Sequence, residues 1–80
     1  MNKEEKELFD KILEEKVIDF IKKYKDRPFY LKVPLWVFED LKERFMGLMK
    51  IDYISGRFSY EGLYICETIT IDKLEEIEVF

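Results

Sequence analysis

Hydrophobic residues recur at helical spacing over the first third of the chain. At 100° per residue, Phe9, Ile12, Leu13, Val17, Phe20, Ile21 and Tyr24 gather on one broad face, while Leu8 and Ile18 fall outside it. Local signals bound the same segment. Asn2 with Glu5 three residues on forms a capping box, Glu4, Glu5 and Glu7 crowd the positive end of the dipole, and Lys22, Lys23 and Lys25 crowd the negative end. The pattern predicts a helix from Lys3 to Lys25.

The period then shortens. After the turn residues Asp26, Arg27 and Pro28, the next five positions alternate, with Phe29, Leu31 and Val33 to one side and Tyr30 and Lys32 to the other, which predicts a short strand. Pro34 suits the first turn of a second helix, in which Leu35, Phe38, Leu41 and Phe45 follow at helical spacing until Gly47 stops it. Trp36 lies roughly opposite that stripe, on the side of Asp40 and Glu43.

The remainder reads as β structure. Glu61 and Gly62 make a natural hairpin turn, and a two-residue loop pairs Tyr60 with Leu63, Phe58 with Ile65, Gly56 with Glu67, Ile54 with Ile69 and Asp52 with Ile71. This register collects almost every apolar residue on one face. The other face carries Tyr53, Ser55, Arg57, Ser59, Tyr64, Cys66, Thr68 and Thr70, which suits solvent or a polar partner. After a DKLEE turn, IEVF can add one more short strand. The expected fold is therefore α+β: two helices on one face of a small three- to four-stranded antiparallel or mixed sheet, in the order α-β-α-β-β(-β), forming a single domain over residues 1–80.

Composition narrows the chemistry. The single cysteine, Cys66, allows no internal disulfide, and the absence of histidine excludes ordinary zinc sites. No cofactor or metal is expected. A lone cysteine fits a reducing compartment, and with neither a signal-like N-terminus nor an apolar run longer than VPLWVF, the expected location is cytoplasmic, away from the membrane. There are twelve Glu, eleven Lys and nine Ile but one Asn and no Gln, a usage that suits a thermophile or an AT-rich source. A chain this short buries only about 60 to 65% of its unfolded surface, so a homo-oligomer, dimer or higher, is expected to support it.

Glu67 is the first candidate for a functional role, because the alternation sets a carboxylate among Leu63, Ile65, Ile69 and Ile71. Opposite it, Gly56 has no side chain, so the register predicts a notch that a cation or a partner could complete; the alternatives are a place near the sheet edge or under a Lys or Arg, or a bulge at Gly56 that turns Glu67 outward. Trp36 is the second, with Tyr30 on the outward side of the first strand, since aromatic residues off a core stripe are either packed on a neighbouring element or hot spots of an interface. Ile18 and Leu8 lie off the core stripe as well. The segment KKYKDRPFYLK interleaves five basic residues with Tyr24, Phe29 and Tyr30, as single-stranded nucleic acid binding would use. Much of it, however, is a helix end dressed with lysines, and a net charge of −4 argues against a dedicated nucleic-acid binder.

Catalysis has little to stand on. There is no histidine for general base work, no Gly-rich phosphate loop, and only Arg57 as a cross-strand cation for Cys66. The reading that fits best is a non-catalytic, acidic protein-interaction domain that self-associates and meets a partner with a basic surface. Its competitor is a small-molecule or nucleotide-binding module formed in a homo-oligomer from Glu67, Arg57, Tyr30 and Tyr64. A strand, Pro34, an aromatic-rich helix and the GRFSYEGLYI hairpin make about half of the chain similar to small proteins common in bacteriophage genomes. That resemblance implies a viral or mobile-element protein; the acidic balance, with the C-terminal EEIE, separately suggests an inhibitor that presents carboxylates to the nucleic-acid-binding surface of a host protein.

Overall fold

The computed structural model describes residues 1–80. Helix α1 covers Lys3–Tyr24, and its capping box is formed: the Asn2 side chain accepts the Glu5 N–H at 2.8 Å while the Glu5 carboxylate accepts the Asn2 N–H at 3.1 Å. Lys25 ends the helix in the left-handed region at φ 59°, its N–H returning to the Ile21 carbonyl. Phe9 and Leu13 are buried and Ile12, Val17 and Phe20 half-buried, but Ile21 and Tyr24 are exposed. The apolar face thus leaves the core in its last turns, where Phe20 and Tyr24 pack on each other with ring centroids 4.6 Å apart.

Strand β1 is Tyr30–Pro34. It starts one residue after the expected alternation, so Phe29, expected inward, precedes the pleat and is exposed, while Leu31 and Val33 are fully buried. Helix α2 is Leu35–Arg44, three residues shorter at its end than the sequence suggested; Val37, Phe38 and Leu41 are its buried residues, and Leu35 turns outward. A 3₁₀ turn at Met46–Leu48 takes up the rest and leads into β2, Met49–Ile51. Then come β3, Phe58–Tyr60, β4, Leu63–Thr68, a second 3₁₀ turn at Leu74–Glu76, and β5, Glu78–Val79.

These strands form one five-stranded mixed sheet in the order β2-β3-β4-β1-β5, which corrects the expected three or four strands. β1 runs parallel to β4, and every other neighbouring pair is antiparallel. The β3–β4 turn is where the sequence placed it: Glu61 and Gly62 both have positive φ, 51° and 79°, as a type I′ turn requires, and Tyr60 faces Leu63.

Beyond those few pairs the long hairpin does not continue. The Asp52 carboxylate accepts the Ile54 N–H at 2.9 Å and the Ser55 N–H at 3.4 Å, the Gly56 N–H returns to the Asp52 carbonyl at 2.7 Å, and Gly56 takes φ 73°. A local side-chain acceptor and a glycine close a loop over residues 52–57, in place of an extended ladder. β3 therefore pairs back onto β2, with Ile51 opposite Phe58, and β4 from Tyr64 to Thr68 pairs with β1, setting Glu67 opposite Val33. The pairs Phe58 with Ile65, Gly56 with Glu67, Ile54 with Ile69 and Asp52 with Ile71 are not formed.

Both helices bury their apolar residues on one side of this sheet. Phe9 and Leu13 of α1, Val37, Phe38 and Leu41 of α2, and Leu31, Val33, Tyr60, Leu63 and Ile65 of the strands belong to one core cluster. Lys6 is also buried, held by Asp10 at 2.5 Å and lying over the rings of Phe45 and Tyr60.

Candidate functional site: the open face of the sheet

With the helices on one side, alternation along each strand sends every second residue to the other. The register aligns these outward residues into a row across all five strands: Phe80 beside Tyr30, then Tyr64, Ser59 and Lys50. A second row holds Glu78, Lys32 and Cys66. The rings of the first row touch: Tyr30 stacks on Phe80 with centroids 5.2 Å apart and planes at 21°, and lies 6.2 Å from Tyr64. The Arg57 guanidinium reaches across from the start of β3 to 6.0 Å from the Tyr30 ring, a cation–π arrangement. Tyr64 is 37% and Phe80 49% exposed, so the strip is open to a partner while its rings hold one another in place.

Charge on this face is opposite to that of the whole chain. Lys32, Lys50 and Arg57 stand on or beside it against the single carboxylate of Glu78, and the ion pairs of the chain, Lys6 with Asp10 and the Met1 amino group with Asp40, are among the helices. The aromatic strip is also flat: none of the larger hollows is lined by Tyr30, Tyr64, Phe80 or Arg57, and Glu78 borders one only at the β5 edge.

Of the residues singled out by sequence, Arg57, Tyr30 and Tyr64 are brought together here. Phe80 joins them and went unnoticed; its signal was the alternation of IEVF, which puts it on the same side as Glu78 once β5 pairs with β1. Glu67 does not join. It is exposed, with no notch across from it, because the inner face of β4 is covered only as far as Ile65 and the following inward position already meets water, as does Ile69 at 85% exposure. Trp36 is half-buried against the core, and its indole N–H donates to the Asp72 carbonyl at 2.6 Å, tying α2 to the stretch after β4. Ile18 is 43% exposed and sits on the helix side, in a groove of about 460 Å³ between α1 and the β3–β4 turn.

The basic segment is split by the fold, its lysines 22, 23 and 25 ending α1 and Lys32 lying on the sheet. No group of three His, Cys, Asp or Glu side chains comes together as a metal site, and no helix is long and apolar enough to cross a membrane. Comparison of the chain with protein-family models, with curated proteins and with solved structures gives no match.

Proposed function

We propose that this chain is a non-catalytic protein-interaction domain and that the open sheet face is its contact surface. One observation carries the reading: three aromatic rings on adjacent strands, half-exposed and packed on one another, with an arginine over the middle one, Tyr30, on a flat strip that neither helix covers. Tyr and Arg are the residues that dominate binding energy in protein interfaces, and rings already fixed by their neighbours lose little rotamer freedom when a partner arrives. Flatness supports a macromolecular partner over a small ligand, whose sites are concave.

Net charge pointed to a partner with a basic surface. The carboxylates that would meet one rim the groove beside α1, so the cationic sheet face is assigned a partner surface that is neutral or acidic. The test is native mass spectrometry of the protein purified from its own host, as wild type and as the double variant Tyr64→Ser with Arg57→Glu. The expected result is a heterocomplex in the wild type that is lost in the variant while the variant's thermal midpoint is unchanged. Retention of the same complex by the variant would remove the sheet face from the account.

A further inference from the structure

We propose that copies of this chain assemble head to tail, the Tyr53–Ile54 tip of one copy seating in the groove beside Ile18 of the next. Ile54 is 99% and Tyr53 91% exposed, the most exposed large apolar residues of the chain. They are not on a slack loop. The Asp52 carboxylate and carbonyl hold the N–H groups of Ile54, Ser55 and Gly56, and the Asp52 N–H is held in turn by the Arg57 carbonyl at 2.9 Å. A backbone fixed in this way presents two large side chains to water with little freedom left to lose, which is the property of an anchor residue. Ile69, 85% exposed, follows the end of β4, which runs away from the Glu61–Gly62 turn as the start of β3 does.

The groove is complementary and lies at the other end of β3. Its floor is Leu13, Val17, Ile18 and Leu63, and its rim carries Glu14 and Glu61 against Arg27, with Asp10 beside them already held by Lys6 and Tyr60. Lys50 and Arg57 flank the tip in sequence, Arg57 with its guanidinium toward Tyr30, while the one acid within it, Asp52, is turned onto its own backbone N–H groups. Apolar side chains between cations thus match an apolar floor under carboxylates. Since β3 separates the turn that borders the groove from the loop that carries the tip, a chain cannot fill its own groove. The two patches differ, so the contact is heterologous and propagates into a ring or an open chain of copies. This mode deepens the interaction reading; it shares Lys50 and Arg57 with the sheet face but uses neither Tyr30, Tyr64 nor Phe80, so Tyr64→Ser, which touches the sheet face alone, tells the failure of one proposal from the failure of the other.

The experiment is sedimentation velocity over rising chain concentration. A contact made by a tip is at the small end of specific interfaces, so assembly is expected in roughly the 0.1–1 mM range. Wild type is expected to grow past the dimer, and to shrink again in high salt. Ile54→Asp and Ile18→Lys, both at exposed positions, are each expected to stay monomeric; Tyr53→Ser and Glu14→Lys repeat the test should either misfold. A 1:1 mixture of Ile54→Asp, which keeps its groove, with Ile18→Lys, which keeps its tip, is expected to give a heterodimer and nothing larger, and Tyr64→Ser to assemble as wild type does. Wild type that stays monomeric throughout, single variants that assemble as wild type, or a mixture that stays at the monomer mass would each overturn the proposal.

Discussion

At the scale of single residues, the buried knot of Tyr60, Asp10 and Lys6 is the clearest source of a pH effect. The Tyr60 hydroxyl, 50 residues from Asp10 in sequence, donates to its carboxylate at 2.5 Å, while the other carboxylate oxygen takes the Lys6 ammonium. Burial first, then the hydrogen bond and negative charge of Asp10, push the phenol well above its usual value. The folded chain therefore keeps the proton while the unfolded chain releases it near pH 10, so this stabilisation is complete below about pH 10 and lost as pH rises beyond it. Urea unfolding followed across that range is expected to show a fall in stability that Tyr60→Phe flattens; at neutral pH the same substitution is expected to cost about 1–2 kcal/mol. Asp52 has the opposite sign. The N–H groups of Ile54 and Ser55 hold its carboxyl below the usual 3.8, so the order it gives the tip is present at neutral pH and lost in acid below that value. Asp52→Ala is expected to raise hydrogen exchange at the Ile54 and Ser55 amides about tenfold or more while the midpoint of unfolding stays put. Neither knot nor tip was legible in the sequence, because each depends on which distant or local acceptor an acid reaches. Glu67 was misread for a related reason: alternation assigns a face correctly, but whether a helix covers that face is a tertiary fact.

At the scale of elements, legibility followed locality. The cap of α1, the strand after Pro28, the helix after Pro34 and the Glu61–Gly62 turn are set by residues within a few positions of one another, and all are present. The split of the long hairpin was not readable, since the apolar alternation of residues 51–60 suits both pairings and only the Asp52 and Gly56 loop decides between them. Nor was the parallel β1–β4 pairing, which joins segments across an intervening helix and hairpin. The turn itself offers a test. Glu61 holds φ 51° with a side chain that disfavours it, so Glu61→Asn or Glu61→Gly is expected to stabilise by about 0.5–1 kcal/mol, and Gly62→Val to destabilise by about 1–2 kcal/mol, each read as a shift of the thermal midpoint. In the core that both helices cover, Leu41→Ala is expected to cost about 2–5 kcal/mol, a large share of the stability of so small a domain.

At the scale of the whole molecule, one sheet separates two kinds of surface. One side is buried under α1 and α2, beside a groove rimmed with carboxylates; the other is bare, aromatic and cationic. Tyr30, Tyr64 and Phe80 lie on that bare face with Lys32, Lys50 and Arg57 on or beside it, although the chain as a whole is acidic, and the interaction reading is proposed from this arrangement. Site-specific photocrosslinking in the protein's own host tests this most directly. With a benzoylphenylalanine at position 64, on the sheet face, a single discrete adduct is expected that Arg57→Glu abolishes, whereas the same probe in place of Tyr24, a more exposed aromatic on α1, is expected not to give it. No adduct from position 64, or one that Arg57→Glu leaves unchanged and position 24 reproduces, would contradict the account.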